Sequence, residues 1–140
     1  MTFRPKWFEL KELVPPEIFR ARGEAAWELL DARALMTLDA IREQFGPTIV
    51  NDWADNGRYR ESGLRSAYSQ TGAVYSQHRF GRAFDCKFRE VVPGVVYEHI
   101  LKHAEQFPHL TTLEDIAATT TWLHFDVRLN ESAGIRIVKP

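Results

Sequence analysis

The sequence predicts an α+β domain in which helices pack on an antiparallel sheet. Helix-forming segments crowd the first third of the chain, and alternating, strand-like segments come later. No regular βαβ alternation joins the two. With 140 residues, 44% of them hydrophobic and 26% charged, residues 1–140 fit a single domain with one core.

Pro15 and Pro16 stand where a helix can begin, and Glu17–Leu30 is rich in helix formers apart from Gly23. Asp31 is placed to cap a second helix running to about Phe45. Leu35, Leu38, Ile41 and Phe45 recur there at steps of three and four, and Gly46-Pro47 stops the pattern. These apolar stripes read as core and carry no chemistry. Thr48–Trp53 reads as a short strand. Residues 54–77 are polar and contain Gly57, Gly63 and Gly72, so loops are expected. Ala83–Phe88 alternates like a strand. Pro93–Phe107 reads as a helix, with Val96, Ile100, His103 and Phe107 on one face. Thr120–Leu129 is the strongest strand signal, and "GIRIVKP" suggests a last strand reaching Pro140.

Composition excludes several classes of function. A net charge of −1 leaves no dominant basic face for nucleic acid. No apolar run approaches the ~18 residues of a membrane span, and the opening residues contain no uninterrupted hydrophobic stretch. Synthesis in the cytoplasm without a signal peptide is the expectation. Cys86 is the only cysteine, so no intrachain disulfide can form. Next to Asp85 in a strand it should face the opposite side, as core. Aromatic residues reach 12%, including Trp7, Trp27, Trp53 and Trp122, enough for a packed core or an aromatic-lined cleft. Nothing in the sequence sets an oligomeric state.

The chemistry concentrates in two short stretches. In "SQHRFGRAFD", His78 and Asp85 are separated by six residues. Gly81 can permit a tight turn between them, Ala83 leaves room beside a ligand, and Ser76 adds a hydroxyl. Asp85 interrupts an apolar strand, which is costly unless it is paired or bound to a metal. In "TWLHFDVR", period-two alternation puts Trp122, His124 and Asp126 on one strand face. Read alone, each stretch could be a satisfied polar pair. Together, His78, Asp85 and His124 supply two histidines and one carboxylate, the ligand set of a catalytic zinc site with an open fourth position.

"SQHRFGRAFD" resembles the Ser-x-His-x-x-Gly-x-Ala-x-Asp signature of zinc D-Ala-D-Ala carboxypeptidases, D-Ala-D-Ala dipeptidases and phage L-alanyl-D-glutamate endopeptidases. All five defining positions are present, as Ser76, His78, Gly81, Ala83 and Asp85, and the likeness spans about residues 30–130. The resemblance implies the hedgehog/DD-peptidase fold, a zinc cofactor and a third ligand from a late strand, which His124 matches. It also implies hydrolysis of peptide bonds in bacterial peptidoglycan by a single-domain, phage-type enzyme acting on the wall after release. The family's Ser-Gly-aromatic-Arg element is matched by Ser62-Gly63-Leu64-Arg65, with Leu64 replacing the aromatic residue. Arg65 would then face the reacting carbonyl or hold a substrate carboxylate. Because it lies in a polar, glycine-bearing segment, Arg65 is expected to serve substrate and not the core. Ser76 and Trp122 are the further candidates for substrate contact.

The general base departs from the family pattern. Those enzymes carry an acid three residues before the late histidine, or a histidine two before it. Here the positions hold Thr121 and Trp122, neither of which can accept the proton. Glu114 or Asp115 reaching in from a preceding loop, Asp126 on the strand itself, or no base at all remain as readings. Asp126 could instead orient His124. Two other classes compete with a peptidase. A non-haem iron oxygenase uses the same ligand types, but "HFD" is followed by no later histidine. A weak or inactive binding protein on the same fold, such as a phage structural component, would keep the motif without the reaction. His99 and His103 are spaced i, i+4 but lack the Glu of a His-Glu-x-x-His motif, and they read as ordinary residues, as does His109.

Overall fold

The computed structural model describes residues 2–140 and is α+β. Helix α1 (Pro16–Arg22) begins with proline at its first position, and α2 (Ala32–Phe45) begins at Asp31, whose carboxylate accepts from the Arg33 N–H at 2.8 Å. The expected single helix over Glu17–Leu30 divides at Gly23. This residue takes φ +54, outside the helical region, and a 3-10 helix continues to Leu29.

Strand β1 (Thr48–Ile49) is shorter than expected. From Asn51 onward the backbone bonds elsewhere: the Asn51 N–H donates to the Glu12 carbonyl, and its buried side chain joins the Val14 carbonyl to the Ser62 N–H. Residues 54–77 are mostly irregular, as expected. Strand β2 (Ala83–Phe88) forms as read. Helix α3 (Pro93–Lys102) stops before His103, which is exposed and has non-helical backbone angles. Strand β3 (Thr112–Glu114) was not anticipated, being only three residues within an unpatterned polar stretch. Strand β4 (Leu123–Asp126) is trimmed to the part that pairs with β2, and β5 (Arg136–Val138) is the last strand.

The sheet order is β1-β2-β4-β3-β5. The pairs β1–β2, β2–β4 and β3–β4 are antiparallel, whereas β5 runs parallel to β3. The sheet is therefore mixed, correcting the antiparallel expectation. Both edges of β4 are already taken, so the chain leaving it turns back and settles on the free edge of β3. That strand runs opposite to β4, which makes the last pairing parallel.

One face of the sheet is core. Phe84, Cys86, Leu113, Leu123 and Phe125 are buried together with Leu35, Leu38 and Ile41 of α2 and Val96 and Ile100 of α3. Each such large side chain contributes roughly 1.5–3 kcal/mol through its burial. Alternation then sends Asp85, Lys87 and His124 to the other face, under the long polar loop.

The turn into β2 is held from behind. Gly81 adopts φ +67, its carbonyl accepts from the Asp31 N–H at 2.9 Å, and a Cβ there would stand 1.9 Å from the Leu29 carbonyl oxygen. Gly81→Ala therefore meets both backbone strain and a backbone clash. Chemical denaturation should show a loss of roughly 2–4 kcal/mol.

Candidate metal centre and its cleft

Three elements deliver the three candidate ligands. His78 lies in a 3-10 helix (Gln77–Phe80) capped at its start by Ser76, whose hydroxyl accepts from the His78 N–H at 3.3 Å. Asp85 and His124 are direct register partners across β2 and β4. Their ligand atoms all lie within 4.8 Å of one another, and His78 and His124 are buried. A tetrahedral ion with bonds of about 2.1 Å needs donors about 3.4 Å apart, so the group can hold a metal ion after small adjustments.

The hydrogen bonds behind the rings select the donor atoms. His78 Nδ1 is 2.9 Å from the Gly63 carbonyl, an acceptor only, so Nδ1 carries the proton and Nε2 is left facing Asp85 at 3.4 Å. His124 Nε2 donates to Asp126 Oδ2 at 2.9 Å, leaving Nδ1 toward Asp85 Oδ1, also at 2.9 Å. Asp126 is fully buried and is gripped by Arg128 through Nε (2.8 Å) and Nη2 (2.5 Å). This carboxylate–histidine arrangement is the one that orients metal ligands in proteins. The donor chemistry, two imidazole nitrogens and one carboxylate, fits zinc.

The charges are strongly coupled. Burial raises the Asp85 carboxyl, but hydrogen bonds from His124 and His78 outweigh it and hold the group well below the usual carboxylate range. His124 is pushed down by burial and up, to about 9, by Asp126 and Asp85. Asp126 falls to about 2, since Arg128 and His124 more than offset its desolvation. Without a metal, His124 is thus an imidazolium between two carboxylates at neutral pH. Burial also lowers Lys87, to about 8, which leaves it largely protonated there.

A cleft of about 390 Å³ opens on this centre, lined by Arg65, Ser76, Glu114 and Trp122 together with the three ligands. Sequence-derived candidates from four separate stretches thus meet in one place. Glu114 Oε1 lies 3.7 Å from His124 Nδ1. It arrives from a strand and not from the loop that was expected. The β3–β4 register, extended one step beyond Leu113 and Phe125, sets Glu114 opposite His124. Asp115 is committed instead to the next turn, accepting from the Ala117 N–H. Asp126 stands behind His124 and is absent from the cleft lining, which corrects its candidacy as proton acceptor.

Arg65 also differs from expectation. Its side chain is only 12% exposed; Nε donates to the Glu61 carbonyl at 2.9 Å, and Nη2 lies 3.6 Å from Asp85 Oδ2. The supports that sequence reading missed are the Gly63 carbonyl, a backbone group whose role the Ser62–Arg65 match does not reveal, and Arg128. The latter was accessible, because alternation from Asp126 places it on the same face. Cys86 is buried on the core side as expected, and its thiol is raised by desolvation.

Two outcomes follow for metal binding. His78→Ala should abolish stoichiometric metal uptake, and Asp126→Asn should weaken it by about 10–100-fold while leaving one site, as titration against a competing chelator would show. The second outcome concerns pH. Because the folded value of His124 is raised from 6.5 to about 9, its stabilisation of the metal-free protein is complete below about pH 6.5 and is lost as pH rises toward 9. The melting temperature of the metal-free protein should fall across that window, and His124→Gln should flatten the fall. Metal uptake at pH 7–8 should release about one proton, measurable by calorimetry in two buffers of different ionisation enthalpy.

Comparison with protein-family models, with curated proteins and with solved structures finds no match to this chain.

Proposed function

We propose that this chain is a zinc peptidase that hydrolyses peptide bonds of bacterial cell-wall peptidoglycan, on a hedgehog/DD-peptidase-like fold. The observation that carries the reading is a carboxylate, Glu114, standing beside a His78–Asp85–His124 ligand group at the floor of an open cleft. The resemblance of Ser76–Asp85 to the peptidase signature supports the substrate class. When bound, zinc supplies a polarised substrate carbonyl and a water whose pKa falls to about 7.

The chain's own residues then divide the work. Glu114 accepts the proton of the attacking water and returns it to the departing amine. Arg65, fixed at Nε by Glu61, presents its remaining N–H groups toward the cleft and stabilises negative charge on the carbonyl oxygen. Ser76 and Trp122 form walls against which the peptide lies. Asp126 holds His124 in the tautomer that keeps Nδ1 free, and Arg128 keeps Asp126 ionised.

Glu114→Gln should keep one metal per chain and lose about 10²–10⁴-fold in turnover, read by mass spectrometry of digested peptidoglycan. Arg65→Ala should lose on the order of 100-fold. A Glu114→Gln protein that cleaves like the parent would remove Glu114 from the mechanism. A parent that holds zinc and never cleaves would remove the hydrolytic reading.

A further inference from the structure

A second meeting of histidines lies across the sheet from the cleft. Helix α3 covers the core face through Val96 and Ile100, whereas Asp85 and His124 stand on the opposite face. On the outer side of α3, the rings of His99 and His103 come together with centroids 4.6 Å apart and planes inclined by 37°.

The backbone accounts for the meeting. The His103 N–H donates to the His99 carbonyl at 2.9 Å, so the last turn keeps its helical bond although His103 itself leaves the helix. Residues four apart on such a turn stand one above the other. Phe45 and Phe107 meet the His99 ring edge to face, at centroid distances of 5.1 and 6.2 Å, and fix its plane. The 3-10 turn Ala104–Gln106 then curls back and brings an oxygen to each ring. Gln106 Oε1 lies 2.9 Å from His99 Nε2, and Glu105 Oε1 lies 3.6 Å from His103 Nδ1. An oxygen beside one ring nitrogen favours the proton there and leaves the other nitrogen its lone pair. His99 Nδ1 and His103 Nε2 are thus the donors left for a cation, with Gln106 and Glu105 orienting the rings.

We propose that His99 and His103 form a second metal site, outside the cleft, for a divalent transition cation held by imidazole nitrogen. Among the described residues, only the cleft centre gathers three His, Cys, Asp or Glu donors. The α3 site is therefore a two-histidine chelate whose remaining positions are filled by water, reached through a surface hollow of about 470 Å³. Glu98 and Lys102 line that hollow with offsetting charges, so the imidazoles select the ion. Such donors suit copper(II), nickel(II) and zinc(II), and affinity is greatest for copper(II). Magnesium, which demands oxygen ligands, is refused. The buried Ile100 stands where a His-Glu-x-x-His motif has its glutamate, so the pair binds without a general base. The bound ion closes the last turn of α3. The site shares no residue with the cleft, and the inference does not depend on the peptidase reading.

The test titrates copper(II), nickel(II), zinc(II) and magnesium separately into the full-length, metal-free protein against a competing chelator. The parent should take up two equivalents of copper(II), and His103→Gln, a change at an exposed position, should take up one. His78→Ala should keep one equivalent, which a further His103→Gln should weaken about tenfold or more. Copper paramagnetic resonance of His78→Ala should show two imidazole nitrogens, reduced to one by His103→Gln. Copper should also raise the melting temperature of His78→Ala and not that of the double variant. Should His78→Ala fail to fold, as circular dichroism would show, the stoichiometry of the parent against His103→Gln still decides. A second equivalent undiminished in both His99→Gln and His103→Gln would overturn the site, as would magnesium binding there as tightly as copper. A single equivalent that vanishes in His78→Ala would overturn it too. One that vanishes in His103→Gln would instead remove the cleft centre and leave the α3 site standing.

Discussion

The pairing of Asp85 with His124 across β2 and β4 is the constraint from which the site follows. The two residues are register partners, and their carboxylate–imidazole bond of 2.9 Å is nearly buried. A slip of one residue by either strand would send its own ligand side chain into the apolar layer beneath and lift its own phenylalanine, Phe84 or Phe125, out of it. The hydrophobic pattern that buries the core face therefore also sets the candidate metal ligands on the other face, and the site inherits its precision from the packing of the core.

Around that pair the charges are arranged in a chain, Asp85–His124–Asp126–Arg128, alternating in sign when no metal is bound. Breaking a buried series of this kind by removing one member leaves an uncompensated charge, which costs more than the series contributes when whole. A cation at His124 Nδ1 replaces a proton without disturbing the sequence of signs. The metal-free protein is thereby organised in nearly the geometry the metal needs, so little rearrangement opposes binding.

The same economy appears in the glycines. Gly63 lies against the Leu13 backbone, where a Cβ would come within 2.2 Å of the carbonyl, and its own carbonyl sets the tautomer of His78. Gly81 lies against Leu29 and turns the chain from the His78 helix into β2. Both ligand-bearing segments are pressed onto the N-terminal part of the chain through positions that tolerate no side chain. That N-terminal layer, remote from the chemistry, thus decides how closely the histidines approach.

The sequence by itself determined the α+β class, the core stripes of α2 and α3, the strands around Asp85 and His124, and the ligand types, because hydrophobic period and strand alternation are local properties of the chain. Asp31 as cap, Gly81 as turn and Cys86 as core were legible for the same reason. Other features depend on which segments become neighbours. The short strand β3 exists because β4 offers it an edge, and that pairing sets Glu114, with no motif of its own, beside His124. The parallel seat of β5, the retreat of Asp126 behind its histidine and the covering of Arg65 were likewise decided by the tertiary structure alone. Spacing along a chain reports which face a side chain takes, whereas strand order and loop packing report what that face will meet.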